Sequence, residues 1–225
     1  MIFLKNTKYE IEKREIKNSF PDDDVLVKYS ISYPEINKSD GFSKVFNGFY
    51  SLMAKRFEDF SKNKLCKEAK RFRALASEDF VPFGAVLKFV CAFENKDVIS
   101  IITDAFVSCG NGKQETKRLS QNWGIEKCRL LLHEDFFVQS QEKDIILGIK
   151  NEAKMRQETG LSNFFEGYEK KLKKGFSKND FYLTPKGYGF FYPSGYLSQN
   201  NYADVFFLLG FLGEGEYDPY RKNRE

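Results

Sequence analysis

One histidine, one tryptophan, three methionines and four cysteines among 225 residues leave little of the usual catalytic and metal-binding chemistry. The single imidazole, His133, excludes within one chain every site that needs two, an HExxH zinc hydrolase or a three-histidine metal centre among them. Cys66, Cys91, Cys109 and Cys128 stand 25, 18 and 19 positions apart. Structural zinc draws its thiolates in close pairs, and the sequence has none. No metal and no cofactor is expected, and the thiols read as small buried groups of a reducing compartment. Long apolar runs are missing too: nothing approaches the ~18 residues of a membrane-spanning helix. A secretory signal needs an apolar stretch of about 7–15 residues, whereas only Ile2–Leu4 precedes the N-terminal charges. As the sequence stands, the expected location is cytoplasmic, with the cell envelope the alternative if an anchor precedes it. Gly110-Asn111-Gly112-Lys113 lacks phosphate-loop spacing, and neither GxGxxG nor a GxSxG nucleophile motif occurs. Asp22–Asp24 lacks EF-hand spacing and reads as a turn.

Charge of one sign is also scarce. Thirty-six basic residues face 32 acidic ones, for a net charge of +4 and an isoelectric point near 8.7. An electrostatic nucleic-acid binder concentrates far more positive charge on one face. Residues 54–73 hold eight basic and three acidic residues. They read as a solvated helix face with pairs such as Asp59–Lys62. Nucleic-acid binding through 54–73 and 169–178 is therefore a lesser alternative.

What the sequence does contain is aromatic: 24 Phe and 12 Tyr. Residues 8–18 and 25–33 read as strands, the second with Val25, Val27, Tyr29, Ile31 and Tyr33 on one face and ended by Pro34. Phe42, Phe46, Phe49, Met53, Phe57 and Phe60 then recur at spacings of 4, 3, 4, 4 and 3. Val45 and Leu52 flank this stripe, which marks an amphipathic helix. Its step continues through Leu65, Ala69 and Phe72, giving one helix over about 40–75 or one broken near Ser61–Asn63. Residues 84–94 and 98–108 read as a hairpin around Asn95-Lys96-Asp97. If Glu94 faces Asp97 or Val98, Cys91 faces Ser100 or Ile101, which puts Cys109 too far away for a disulfide. Further strands are expected at 114–123 and 128–132, and helices at 140–157, with Ile145, Ile146 and Ile149 on one side, and at 163–174, stopped by Gly175. Three last strands follow at 181–184, 188–192 and 205–211. The order predicts an α+β fold of antiparallel sheets packed against the long helix and shorter ones. Segments 1–125 and 126–225 are its expected parts, packed as one unit.

Trp123, Tyr182, Tyr188, Tyr192, Tyr196 and Tyr202 are the candidate ligand-contact residues, because large rings with a polar tip favour binding surfaces. The loop at 109–113 joins them. His133 lies in Leu131–Phe136, where adjacent strand residues would point to opposite faces, and no catalytic role is expected of it. A hydrolase built from dispersed carboxylates is the alternative to a binding domain.

The run Asn179-Asp180-Phe181-Tyr182-Leu183-Thr184-Pro185-Lys186-Gly187-Tyr188-Gly189-Phe190-Phe191-Tyr192 resembles the hallmark hairpin of the RsiV-like domain family. Tyr33-Pro34-Glu35-Ile36 before a long helix is similar to the domain of unknown function that commonly precedes it. Ser120-Gln121-Asn122-Trp123 and Leu130–Phe136 resemble the family's Asn-aromatic turn and "L-x-DLF" segment. The resemblance covers about residues 25–212 and differs from the family pattern at Cys109–Gly112 and Leu209–Phe211. It implies an α+β fold in bacterial, mostly cell-envelope proteins. Members include the outer part of an anti-sigma factor that binds lysozyme and a module attached to peptidoglycan deacetylases. A non-enzymatic binding or sensing domain for a protein or cell-wall ligand is the implied function.

Overall fold

A strand–helix–strand unit opens the chain in the computed structural model, which describes residues 8–21, 24–75, 80–110, 112–199, 205–210 and 215–219. Strands β1 (Ile11–Phe20) and β2 (Val27–Ile36) pair antiparallel from Ile11↔Ile36 to Phe20↔Val27. Val27, Tyr29 and Ile31 form the buried face of β2. The strand runs past Pro34, where it was expected to stop. Its pairing with the next strand ends at Ile31, so one edge is open beyond that point and a residue without an N–H is tolerated.

Asp40 starts the long helix. Its carboxylate accepts from the Ser43 N–H and hydroxyl, each at 2.9 Å, and from the Tyr9 hydroxyl at 2.8 Å. These donors, the Ser43 N–H foremost, hold its pKa at about 2. Helix α1 (Gly41–Phe60) passes through a π turn at Ser61–Leu65 into α2 (Cys66–Leu75). The expected 40–75 helix is thus continuous, with a widened turn where a break was the alternative. Its buried seam is Phe42, Phe46, Tyr50 and Ala54, resumed from the end of the π turn by Leu65, Cys66 and Ala69. Phe49, Met53, Phe57 and Phe60 flank the seam half-buried, while Val45 and Leu52 are 46% and 49% exposed. The four-residue steps follow an inclined ridge of the helix surface, and this displaces the seam toward Tyr50.

The helix crosses over to β3 (Phe83–Glu94), which pairs parallel to β2 from Val27↔Phe83 to Ile31↔Leu87. This is the one departure from antiparallel pairing among the paired registers described, and it follows from the connection: a helical crossover returns the chain in the same direction. Strands β4 (Val98–Ser108), β5 (Gln114–Gly124) and β6 (Arg129–Leu131) complete a sheet in sequence order. At the β3–β4 turn the Asn95 side chain accepts from the N–H groups of Asp97 (2.9 Å) and Val98 (2.7 Å). All four cysteines are free.

Helices α3 (His133–Phe136), α4 (Glu142–Glu158) and α5 (Tyr168–Gly175) follow. Helix α5 begins later than expected because Gly167 takes a left-handed φ of 72°. A second sheet orders β7 (Phe181–Thr184), β8 (Gly187–Tyr192) and β9 (Val205–Leu209) antiparallel. The fold is α+β, as the sequence predicts. No helix among the described residues is long and apolar enough to cross a membrane.

The chain divides into two compact units interleaved in sequence. One comprises Tyr9–Phe89 and Thr103–Lys117, the other Met1–Lys8, Val90–Ile102 and Arg118–Glu225. The first is cored by Val27, Ile31, Ala54, Leu65, Phe83 and Leu87. In the second, Phe136, Phe137, Ile145, Ile149, Phe181, Tyr188, Phe190 and Phe207 pack together. A buried polar chain also ties its strands. Ser100 donates to Asn122 (2.7 Å), Asn122 to the Phe181 carbonyl (3.2 Å), and the Leu183 N–H to Ser100 (3.0 Å).

Candidate functional site

The aromatic residues singled out from the sequence lie mostly in the core. Trp123, Tyr182, Tyr188 and Tyr192 are 2%, 6%, 0% and 2% exposed, too little for direct ligand contact. Their hydroxyls are committed inward where the partner is resolved. Tyr188 donates to Asp218 at 2.5 Å and Tyr192 to the Leu172 carbonyl at 2.9 Å. Burial pushes the Tyr192 phenol well above its ordinary pKa. Tyr196 is half-buried, stacks on Tyr192 at 6.3 Å, and donates to the Lys171 carbonyl at 3.3 Å. Tyr202 lies outside the described residues.

The loop at 109–113 closes on itself, the Cys109 N–H donating to the Lys113 carbonyl at 2.8 Å, and the Lys113 ammonium pairs with Glu115 at 2.8 Å. Asn111 lies outside the described residues. His133 opens a helical turn where a strand was expected, because the Asp135 carboxylate accepts from the Leu132 N–H at 2.8 Å and starts a helix there. Its ring is 4% exposed and sits 4.7 Å from Phe137. Burial lowers its pKa. Neighbouring carboxylates are also engaged, Asp135 with Arg129 at 2.6 Å and Glu134 with Lys178.

The basic helix face pairs at four-residue spacing, Lys55 with Asp59 (3.5 Å) and Lys62 with Glu58 (2.8 Å). The expected Asp59–Lys62 pair is replaced because i,i+4 side chains also meet on a helix surface. Asp24 pairs with Arg73, which lowers its carboxyl pKa; Asp22 and Asp23 lie outside the described residues. Among the described residues, no group of three or more His, Cys, Asp or Glu is placed to hold a metal ion.

What the second unit does offer is a cleft of about 470 Å³ between the turn after α4 and residues 198–199 and 205–206. Arg156, in the last turn of α4, forms one wall. Its Nε donates to Glu152 at 2.8 Å and its Nη1 to the Phe206 carbonyl at 2.8 Å. The guanidinium also lies 5.8 Å from the Phe206 ring and 5.3 Å from that of Phe207. Leu161, Ser162, Asn163, Phe164 and Phe165 line one side, and Ser198, Gln199, Val205 and Phe206 the other. A β-bridge between Phe164 and Ser198 and a 2.9 Å bond from the Phe165 N–H to the Leu197 carbonyl join the two sides. Ser198 is only 9% exposed. Lys171 stands over the Phe165 ring at 4.5 Å.

This architecture has solved counterparts. The fold is that of DUF3298-family proteins. A DUF3298 family member from Bacteroides fragilis NCTC 9343 superposes with a TM-score of 0.61 at 12% identity, over 92% of each chain. A DUF3298 family protein from Pseudomonas aeruginosa PAO1 superposes with a TM-score of 0.62, also at 12% identity, over 91% of this chain and 92% of that one. No protein-family model and no curated protein matches the sequence.

A second cleft, of about 350 Å³, gathers Asp97, Glu126, Glu216 and Asp218 beside Tyr217. Two of the four carboxylates are already engaged, Glu216 with Lys127 at 2.9 Å and Asp218 with the Tyr188 hydroxyl. Sequence reasoning missed the residues of both clefts. Apart from Arg156, the polar lining of its cleft is serine, asparagine and glutamine from connections, residue types whose presence in loops signals nothing by itself. Its one readable clue was the Glu152–Arg156 spacing, which marks a helix-surface pair as readily as a site.

Proposed function

We propose that the chain is a binding module of the DUF3298 and RsiV-like kind, not an enzyme, and that its ligand enters the Arg156 cleft. The observation that carries this reading is Ser198, which lines the cleft together with Ser162, Asn163 and Gln199 and whose side chain hydrogen-bonds to no described residue. The hairpin Asn179–Tyr192 and the DUF3298-like fold support the same reading. With Tyr182, Tyr188 and Tyr192 spent on the core, the neighbouring connection takes over the contact role assigned to their hairpin.

A thermal-shift panel of lysozyme-type proteins and cell-wall fragments tests it. A ligand present at about 100 times its Kd adds about 2.7 kcal/mol of stability, a rise of roughly 5–10 °C for a chain of this size. At least one member should raise Tm, and Arg156→Gln should abolish the rise; no shift across the panel would overturn the reading. The carboxylate cleft favours a second reading, a hydrolase using Asp97 and Glu126. Turnover of a cell-wall fragment that Asp97→Asn or Glu126→Gln removes would establish it instead.

A further inference from the structure

We infer that the ligand of the Arg156 cleft is an acidic saccharide, a sugar ring that carries a carboxylate. The inference rests on the binding-module reading above and names its ligand class. Among the described residues that line the cleft, Arg156 supplies the one formal charge; its Nε is paired with Glu152, and the donors it leaves free favour an anionic group. Two of its bonds, to Glu152 and to the Phe206 carbonyl, fix the guanidinium plane. A guanidinium carries five N–H donors in a rigid fork, and the donors that remain suit the two oxygens of a carboxylate.

The other walls suit a sugar ring. Phe206 is 42% exposed and Phe165 half-buried, which gives apolar surface on either side. The side chains of Ser162, Asn163, Ser198 and Gln199 line the space between and hydrogen-bond to no described residue. Hydroxyls and amides both donate and accept, as the hydroxyl and acetamido groups of a sugar require. An acidic peptide would instead draw on backbone donors and acceptors, and three of those in the cleft are already engaged. The Phe164 N–H donates to Gln157 at 2.9 Å, the Phe165 N–H to Leu197, and the Phe206 carbonyl accepts from Arg156. A volume of about 470 Å³ lies in the range of small-ligand sites.

Calorimetric titration of the full chain tests this with digalacturonate and N-acetylmuramate as acidic probes. Galactobiose and N-acetylglucosamine are the neutral controls, and alanyl-phenylalanyl-glutamate is the peptide arm. At least one acidic sugar should bind, with its neutral control about tenfold or more weaker. Arg156→Gln should weaken the acidic sugar by about ten- to a hundredfold, the loss of a charge-assisted hydrogen bond. Ser198→Ala should weaken it a few-fold, the loss of a neutral one. If Arg156→Gln unfolds, Ser198→Ala and Gln199→Ala carry the test, since neither deletes a bond to a described residue. Equal binding of neutral and acidic sugars, or unchanged affinity in folded Arg156→Gln, would overturn the inference. So would binding of the peptide while the sugars stay silent, an outcome that leaves the binding-module reading standing. Silence of every probe overturns the saccharide class if the thermal-shift panel finds a ligand, and both readings if it finds none.

Discussion

Acidification should destabilise this protein through its only histidine. His133 is 4% exposed, with its ring 4.7 Å from Phe137 and 6.2 Å from Phe181, and its buried Nε2 has no hydrogen-bond partner among the described residues. Charging such a ring inside an aromatic cluster is costly, so burial lowers its pKa in the fold. Glu134 and Glu142 pull the pKa back up and Lys178 pushes it further down, all as smaller effects. Unfolded, the ring titrates near 6.5, as a free histidine does. Below that pH the unfolded state binds a proton that the native state resists. Stability is therefore intact above about pH 6.5 and falls as the pH drops toward the folded-state pKa, by up to ~1.4 kcal/mol per pH unit. A domain stable by about 5–15 kcal/mol shows such a loss clearly in urea unfolding. Carboxylates also lose stability in acid, so the informative quantity is the difference between wild type and His133→Phe. Phenylalanine keeps a ring in the cluster and cannot titrate. The two curves should lie parallel above about pH 7 and diverge below about 6.5, wild type falling faster. Because the chain has one histidine, its ring NMR signal gives the folded-state pKa without assignment. Parallel curves down to pH 5, or a ring that titrates at 6.5 or above, would refute the reasoning.

Two further perturbations test the packing. Ser100→Ala removes the hydroxyl that serves both Asn122 and the Leu183 N–H, leaving two buried polar groups short of a partner. At about 1–3 kcal/mol for each unsatisfied group, urea unfolding should show a loss of roughly 2–5 kcal/mol; a loss below about 1 would mean that water or a shifted side chain restores the bonds. Gly187→Ala and Gly112→Ala form a contrasting pair, both at positive φ, +138° and +79°. A Cβ at Gly187 would lie 2.2 Å from the Leu209 carbonyl oxygen, whereas one at Gly112 meets nothing within 4 Å. Thermal unfolding should place Gly112→Ala within about 1–2 kcal/mol of wild type, the backbone cost alone. Gly187→Ala should cost at least ~3 kcal/mol or disrupt the β8–β9 pairing. Similar losses in the two variants would mean that the steric contact at Gly187 is relieved cheaply.

Periodicity carried much of the fold into view. The helix from Gly41 to Leu75 was legible because its apolar residues recur at the helical repeat, and the hairpins because turn residues bracket alternating runs. What periodicity could not supply was long-range geometry. The π turn at Ser61–Leu65 adds a residue without altering local composition. The parallel partnership of β2 with β3 depends on where the helix returns the chain, which no local pattern encodes. Pro34 was read as a stop because the number of neighbours β2 has at that point is a property of the sheet. His133 was placed in a strand because the start of α3 rests on a single side-chain bond, donated by the Leu132 N–H to the Asp135 carboxylate.

The tyrosines show why the site itself lay beyond the same reasoning. Tyrosine favours both interfaces and cores, and only exposure distinguishes the two uses. Strand β8 is the middle of three, and each of its six residues is buried, so Tyr188 and Tyr192 are covered whichever side they take. A central strand buried on both faces has no side chain left to offer a ligand. On the proposed binding reading, contact comes instead from what joins the strands, where the chain carries Ser198 and Gln199 opposite Ser162 and Asn163. These residues are unremarkable as sequence because their value comes from convergence. The bridge from Phe164 to Ser198 brings two segments more than 30 positions apart onto one guanidinium. The conspicuous aromatic surplus thus builds the scaffold, and the proposed binding role rests on small polar residues that the scaffold brings together.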